Sequence, residues 1–165
     1  MIGERAFPSK RLYREVGINM PVPFSSENAV SVLAIGHSLE YRTSLLDIFN
    51  HSKWNLQFAE SLREARPFIS ENRISVILCQ HRLTDGKWVD VLDEINQSGE
   101  TPRLIVAAEN ADESLWAEVL NLGGYDVLEM PFQPQEVIRV LSLAWLHWRK
   151  RPVAQSRALI AMAAG

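Results

Sequence analysis

Between Val30 and Leu128, five short apolar runs alternate with segments in which apolar residues recur every three or four positions. The runs Val30 to Ile35, Trp54 to Ala59, Ile74 to Cys79, Arg103 to Ala108 and Tyr125 to Leu128 are strand-sized. The segments between and after them, Leu39 to His51, Ser61 to Ser70, Lys87 to Gln97, Ala111 to Leu122 and Pro134 to Trp148, carry helical spacing, as in Leu45, Leu46 and Phe49 or Trp88, Val91, Leu92 and Ile95. Ser61 followed by Glu64 fits a capping box, Pro67 is expected to kink or shorten its helix, and Pro134 suits a first helical turn. Two of the strands are apolar almost without alternation, which a sheet covered on both faces requires. Five β/α units with right-handed crossovers predict an α/β fold, a doubly wound parallel sheet with helices on both faces.

Composition narrows the class. A chain of 165 residues with 47% hydrophobic side chains suits one domain. Residues 1–28 run through Pro21, Pro23, Ser25 and Ser26 without periodicity and are expected to form a flexible N-terminal arm. The domain is expected over 29–149, followed by a basic and then apolar C-terminal tail over 150–165. The longest apolar stretch, Ala158 to Ala164, is far short of the ~20 residues of a membrane helix, so no membrane association is expected. The lone Cys79 fits a reducing cytoplasm. The net charge is −3, yet Arg149, Lys150, Arg151 and Arg157 cluster at the end with no acid among them, leaving the folded body acidic. An acidic body excludes nucleic-acid binding by the folded domain, because neutralising phosphates needs a basic surface.

Two segments carry a family resemblance. Val76-Ile-Leu-Cys-Gln-His-Arg-Leu-Thr-Asp85-Gly86 resembles the third strand and following loop of bacterial response-regulator receiver domains, and Gly124-Tyr-Asp-Val-Leu-Glu-Met-Pro131-Phe132 resembles their fifth strand and Lys-Pro-Phe turn. The likeness extends from Ala29 to Trp148 and implies the CheY-like, flavodoxin-like strand order 2-1-3-4-5, with a crevice at the carboxyl ends of the strands. It places the phosphoryl-accepting aspartate on Gln80, the paired acids after the first strand on Gly36 and His37, and the Ser or Thr of the fourth strand on Ala107. The switch aromatic falls on Val127 and the lysine before the proline on Met130. A glycine, a histidine and a neutral amide cannot supply the anionic oxygens Mg²⁺ prefers, and glutamine lacks a nucleophilic carboxylate. With the anions gone, a buried lysine would be an unpaired charge, which methionine avoids. The expectation is a degenerate pseudo-receiver: no enzyme, no cofactor and no metal, acting through protein–protein interaction in a two-component or phosphorelay pathway.

His37, Gln80, His81 and Asp85 are expected to gather at the crevice, with Cys79 if the loop turns inward, leaving a small-molecule or metal sensor as the alternative. Cys79 otherwise reads as a buried, inert thiol. An enzyme on the same fold would need a Gly-rich loop or a nucleophile–base pair, and Gly36-His-Ser-Leu offers one glycine. The last helix is too apolar for one buried stripe, its apolar arc spanning roughly 160° with Leu143 and Leu146 outside it. On the helix before it, Leu115, Val119 and Leu122 form the core stripe and leave Trp116 and Leu120 at its margin. Trp116, Leu120, Ile138, Leu143, Trp145 and Leu146 are therefore the candidate interaction face, for a homodimer or another signalling protein, unless the tail folds over it. With 17 residues after Trp148, no DNA-binding output domain is expected.

Overall fold

The computed structural model describes residues 30–150 apart from His51 and Asn72; the expected N-terminal arm 1–28 and the tail from Arg151 onward lie outside the described residues. The elements are β1 (Ser31–Ile35), α1 (Leu39–Phe49), β2 (Asn55–Ala59), α2 (Leu62–Glu71), β3 (Val76–Gln80), β4 (Arg82–Leu83), β5 (Gly86–Lys87), α3 (Trp88–Ser98), β6 (Arg103–Ala108), α4 (Glu113–Leu122), β7 (Asp126–Glu129) and α5 (Pro134–Arg149). Five strands form a parallel sheet in the order β2-β1-β3-β6-β7, in which Ile35 pairs with Ala59 and Cys79, and Gln80 with Ala107. This is the doubly wound order expected from the sequence. The short β4–β5 hairpin stands apart and was not anticipated.

Alternation along each strand sends side chains to two apolar layers. Leu33, Ile35, Ile77 and Cys79 pack with Val91, Ile95, Leu115 and Val119 under α2, α3 and α4. Val32, Ala34, Val76 and Leu78 pack with Tyr41, Leu45, Val140 and Leu141 under α1 and α5. Capping explains most helix starts. The side chains of Ser38 and Asp112 accept from Tyr41 N and Leu115 N at the starts of α1 and α4, and the Asp90 carboxylate accepts from Lys87 N at the start of α3. Gly123 closes α4 with φ 107°, a conformation that L side chains rarely adopt.

Three expectations need correction. Pro67 neither shortens nor breaks α2, which is continuous across it; Pro67 and Arg63, whose carbonyl loses its intrahelical donor, both face solvent. The capping box is only half formed, since Ser61 Oγ accepts from Glu64 N at 3.1 Å while the Glu64 carboxylate reaches back to Glu60 N. Leu122 is 51% exposed although it shares the stripe of Leu115 and Val119, because α4 ends there at Gly123.

Candidate functional site

The carboxyl ends of β1, β3, β6 and β7 open onto a cleft of about 490 Å³ whose lining includes His37, Gln80, His81, Ala107, Glu109 and Met130. Gln80 is the last residue of β3 and lies between β1 and β6, and its side chain turns toward the start of α1. There Gln80 Oε1 accepts from His37 N at 2.9 Å and Ser38 N at 3.1 Å. Two backbone donors can be met only by the carbonyl end of the amide, so its orientation is fixed.

Gly36 lies directly beneath this side chain. A β-carbon at Gly36 would stand 2.7 Å from both Gln80 Cγ and Tyr41 Cε1. The tyrosine cannot yield, because its ring is fully buried and its hydroxyl donates to Leu78 O at 2.6 Å. Burial, together with the nearby Cys79, holds the Tyr41 phenol well above its ordinary pKa. Glycine at 36 and a folded-over glutamine at 80 are thus two halves of one packing arrangement.

Met130 closes the far side of the cleft. It is 5% exposed, and its N–H donates to Ala108 O at 2.8 Å. Val127 does not join the cleft, since its side chain packs in the opposite layer with Val119 and Val106. His81 does line it; burial and then the Arg82 charge hold its imidazole below the ordinary value, with Glu118 opposing. Glu109 is the lone carboxylate among the described lining residues, which also include Arg82. Among the described residues, no group of three or more His, Cys, Asp and Glu could hold a metal ion.

Asp85 is not at the crevice, which corrects that expectation. Its two carboxylate oxygens accept from Leu62 N and Arg63 N, each at 2.9 Å, so it caps α2 from the β4–β5 hairpin. Burial acts to raise its pKa, but the Arg63 and Leu62 amides, its own amide and the Arg66 charge outweigh that and leave the carboxyl below its ordinary value. Cys79 faces the core rather than the cleft, where burial pushes its thiol far up. Periodicity and the family resemblance singled out none of Ser38, Tyr41, Arg82 and Glu109 as neighbours of the site.

The response-regulator receiver domain family model matches residues 32–142. The chain belongs to the response-regulator receiver family. Among solved structures it is similar to the receiver domain of an HD domain-containing protein from Pseudomonas fluorescens Pf-5, at 19% identity and TM-score 0.68, covering 75% of this chain and 100% of that one. It is also similar to the chemotaxis response regulator CheY4 of Vibrio cholerae, at 16% identity and TM-score 0.63, covering 71% and 99%. The beryllofluoride-activated NtrC4 receiver domain dimer matches at 24% identity and TM-score 0.66, covering 72% and 98%. No curated protein sequence matches the chain. At these identities the structures establish the shared fold.

The six candidate interface residues of this receiver domain divide between two places. On α4, Trp116 and Leu120 are 47% and 38% exposed, on the flank opposite Glu118, whose charge acts on His81 at the end of β3. On α5, Leu143 and Leu146 are 40% and 39% exposed, and Leu143 shares a flank with His147, whose Nδ1 lies 2.6 Å from the Tyr125 hydroxyl just before β7. Leu143 thus lies on the β7 side of α5, while Leu146 points straight away from the buried face of Val137, Val140, Leu141, Ala144 and Trp148. Ile138 and Trp145 are half-buried on the other flank of α5, with Ile138 beside Ile48 of α1. Among the described residues, no helix is long and apolar enough to cross a membrane.

Proposed function

We propose that this receiver domain is a phosphorylation-independent, non-catalytic signalling module that acts by binding another protein, or a second copy of itself, in a two-component or phosphorelay pathway. The observation that carries this reading is Gln80. It ends β3 at the place where the family resemblance puts the phosphoryl-accepting aspartate, and its amide is already engaged by His37 N and Ser38 N. An amide in that position offers no nucleophilic carboxylate oxygen. Gly36 leaves the floor of the site without an acid, and a carboxylate there would need the space that Gln80 and Tyr41 fill. Met130, in the position of the family's lysine, suits a cleft with no phosphoryl group to neutralise.

A signal would then pass through the exposed apolar side chains of α4 and α5, Trp116, Leu120, Leu143 and Leu146. Two measurements test the two halves of the proposal. Fluorine NMR with beryllofluoride and Mg²⁺ is expected to give no bound resonance, whereas a Mg²⁺-dependent bound signal would overturn the phosphorylation-independent reading. Light scattering of the full chain is expected to show association that a Leu120→Glu/Leu146→Glu variant loses. Unchanged association in a folded variant would remove these side chains as the interface.

A further inference from the structure

The flank of α5 turned away from β7 borders a second apolar feature. Ile138 and Pro134 on α5 and Ile48 on α1 line a depression of about 360 Å³ between the two helices, walled also by Gln135 and Arg139. Below it on the same α5 flank lie Ser142, Trp145 and Arg149, the last with its guanidinium 4.9 Å from the Trp145 ring. The wall on the α1 side is acidic. Glu40 and Asp47 are exposed seven residues apart, on one stripe beside Ser44 and Ile48.

The chain that follows α5 has the complementary composition. Pro152 disfavours a helical Arg151, so the continuation of α5 past Lys150 is opposed by its own sequence. Arg151 and Arg157 then precede the apolar run Ala158 to Ala164, with no acid among them. The distances agree as well. Ile138 stands twelve residues before Lys150, about 18 Å along a helix, while the eight residues from Lys150 to Ala158 reach up to about 26 Å when extended. A chain that reversed after α5 would have the length for Arg157 to reach the level of Asp47 and for the apolar run to reach the depression.

We propose that the segment 151–165 folds back along α5 and seats residues 158–164 in the groove between α1 and α5, with Arg157 paired to the Asp47 side. The tail would then occupy the α1–α5 groove and leave Trp116 and Leu120 of α4 uncovered, so tail docking and association through α4 do not compete for one surface.

The test uses the full chain carrying a nitroxide at Ala161→Cys, with single labelling confirmed by mass; Cys79 is fully buried and is left in place. Amide signals of Ser44, Ile48, Ile138 and Ser142 are expected to lose intensity and to recover it when the nitroxide is reduced. Arg157→Glu, which lies outside the packed domain elements, is expected to weaken that loss, and Ile138→Glu to abolish it while spectral dispersion is retained. Undiminished signals along the groove, or broadening at Trp116 and Leu120 instead, would overturn the proposal. So would broadening that appears only when the nitroxide chain is mixed with an isotope-labelled chain lacking it, because the occupant would then be a second copy.

Discussion

Gly36 and Gln80 share one volume, and a double-mutant cycle measures that sharing. In Gly36→Ala the new methyl meets Gln80 Cγ and Tyr41 Cε1, each at 2.7 Å. Gln80 can swing out of the way, but only by releasing the His37 and Ser38 amides. Tyr41 cannot move without giving up its 2.6 Å bond to Leu78 O. Overpacking of this kind costs about 1–3 kcal/mol. Gln80→Ala alone loses two neutral hydrogen bonds at a partly solvated position, about 1 kcal/mol in total because water replaces part of what is lost. The two changes forfeit the same bonds, so the double variant should be less destabilised than the sum of the singles by about 1 kcal/mol, the residue of the penalty being the Tyr41 contact. Urea denaturation of the four proteins at constant m-value reads this directly. Additivity within about 0.3–0.5 kcal/mol would refute the shared-volume argument and show that Gln80 does not lie over Gly36.

Met130→Lys should destabilise the domain by about 1–3 kcal/mol, since the side chain is 5% exposed and only partial escape of the ammonium to the cleft offsets its burial; an unchanged denaturation midpoint would contradict the placement. Asp85→Ala should cost about 0.5–1 kcal/mol, the low end for a helix cap because the carboxylate is exposed. As its folded pKa lies below the unfolded value, this contribution is present above about pH 4 and is lost as pH falls through the folded pKa, so wild type and variant should converge in acid. A difference that persists or grows in acid would contradict the capping role.

The fold was legible because parallel, doubly covered strands leave continuous apolar runs; β6 begins and ends where its run does, at Arg103 and Ala108. The β4–β5 hairpin was not, because two-residue strands around Thr84 and Asp85 are too short for any periodicity to register. Asp85 was misplaced for a related reason. Its closeness in sequence to Gln80 suggested a common crevice, whereas the hairpin carries it across to the amides that open α2. In the site, the family resemblance put Gln80, Ala107 and Met130 at one crevice, and all three line the cleft. The Gly36–Gln80 contact was out of reach because it depends on a side-chain rotamer, and Tyr41 was hidden because its packing role looks in sequence like any other apolar helix position. Leu122 shows the limit of a helical wheel at a helix end, where a residue on the buried stripe can overhang the layer it points toward.

With Gln80 at the end of β3 and Met130 across from it, the cleft should accept no phosphoryl group. Intact mass spectrometry of the full chain, incubated with Mg²⁺ and acetyl phosphate and separately with a phosphorylated histidine kinase, tests it most directly. An unmodified mass is expected for the wild type and for Gln80→Asp, because the single change restores a carboxylate but leaves Gly36, His37 and Met130 in place. A stable phosphorylated species mapped to a residue lining the cleft of the wild-type protein would contradict it.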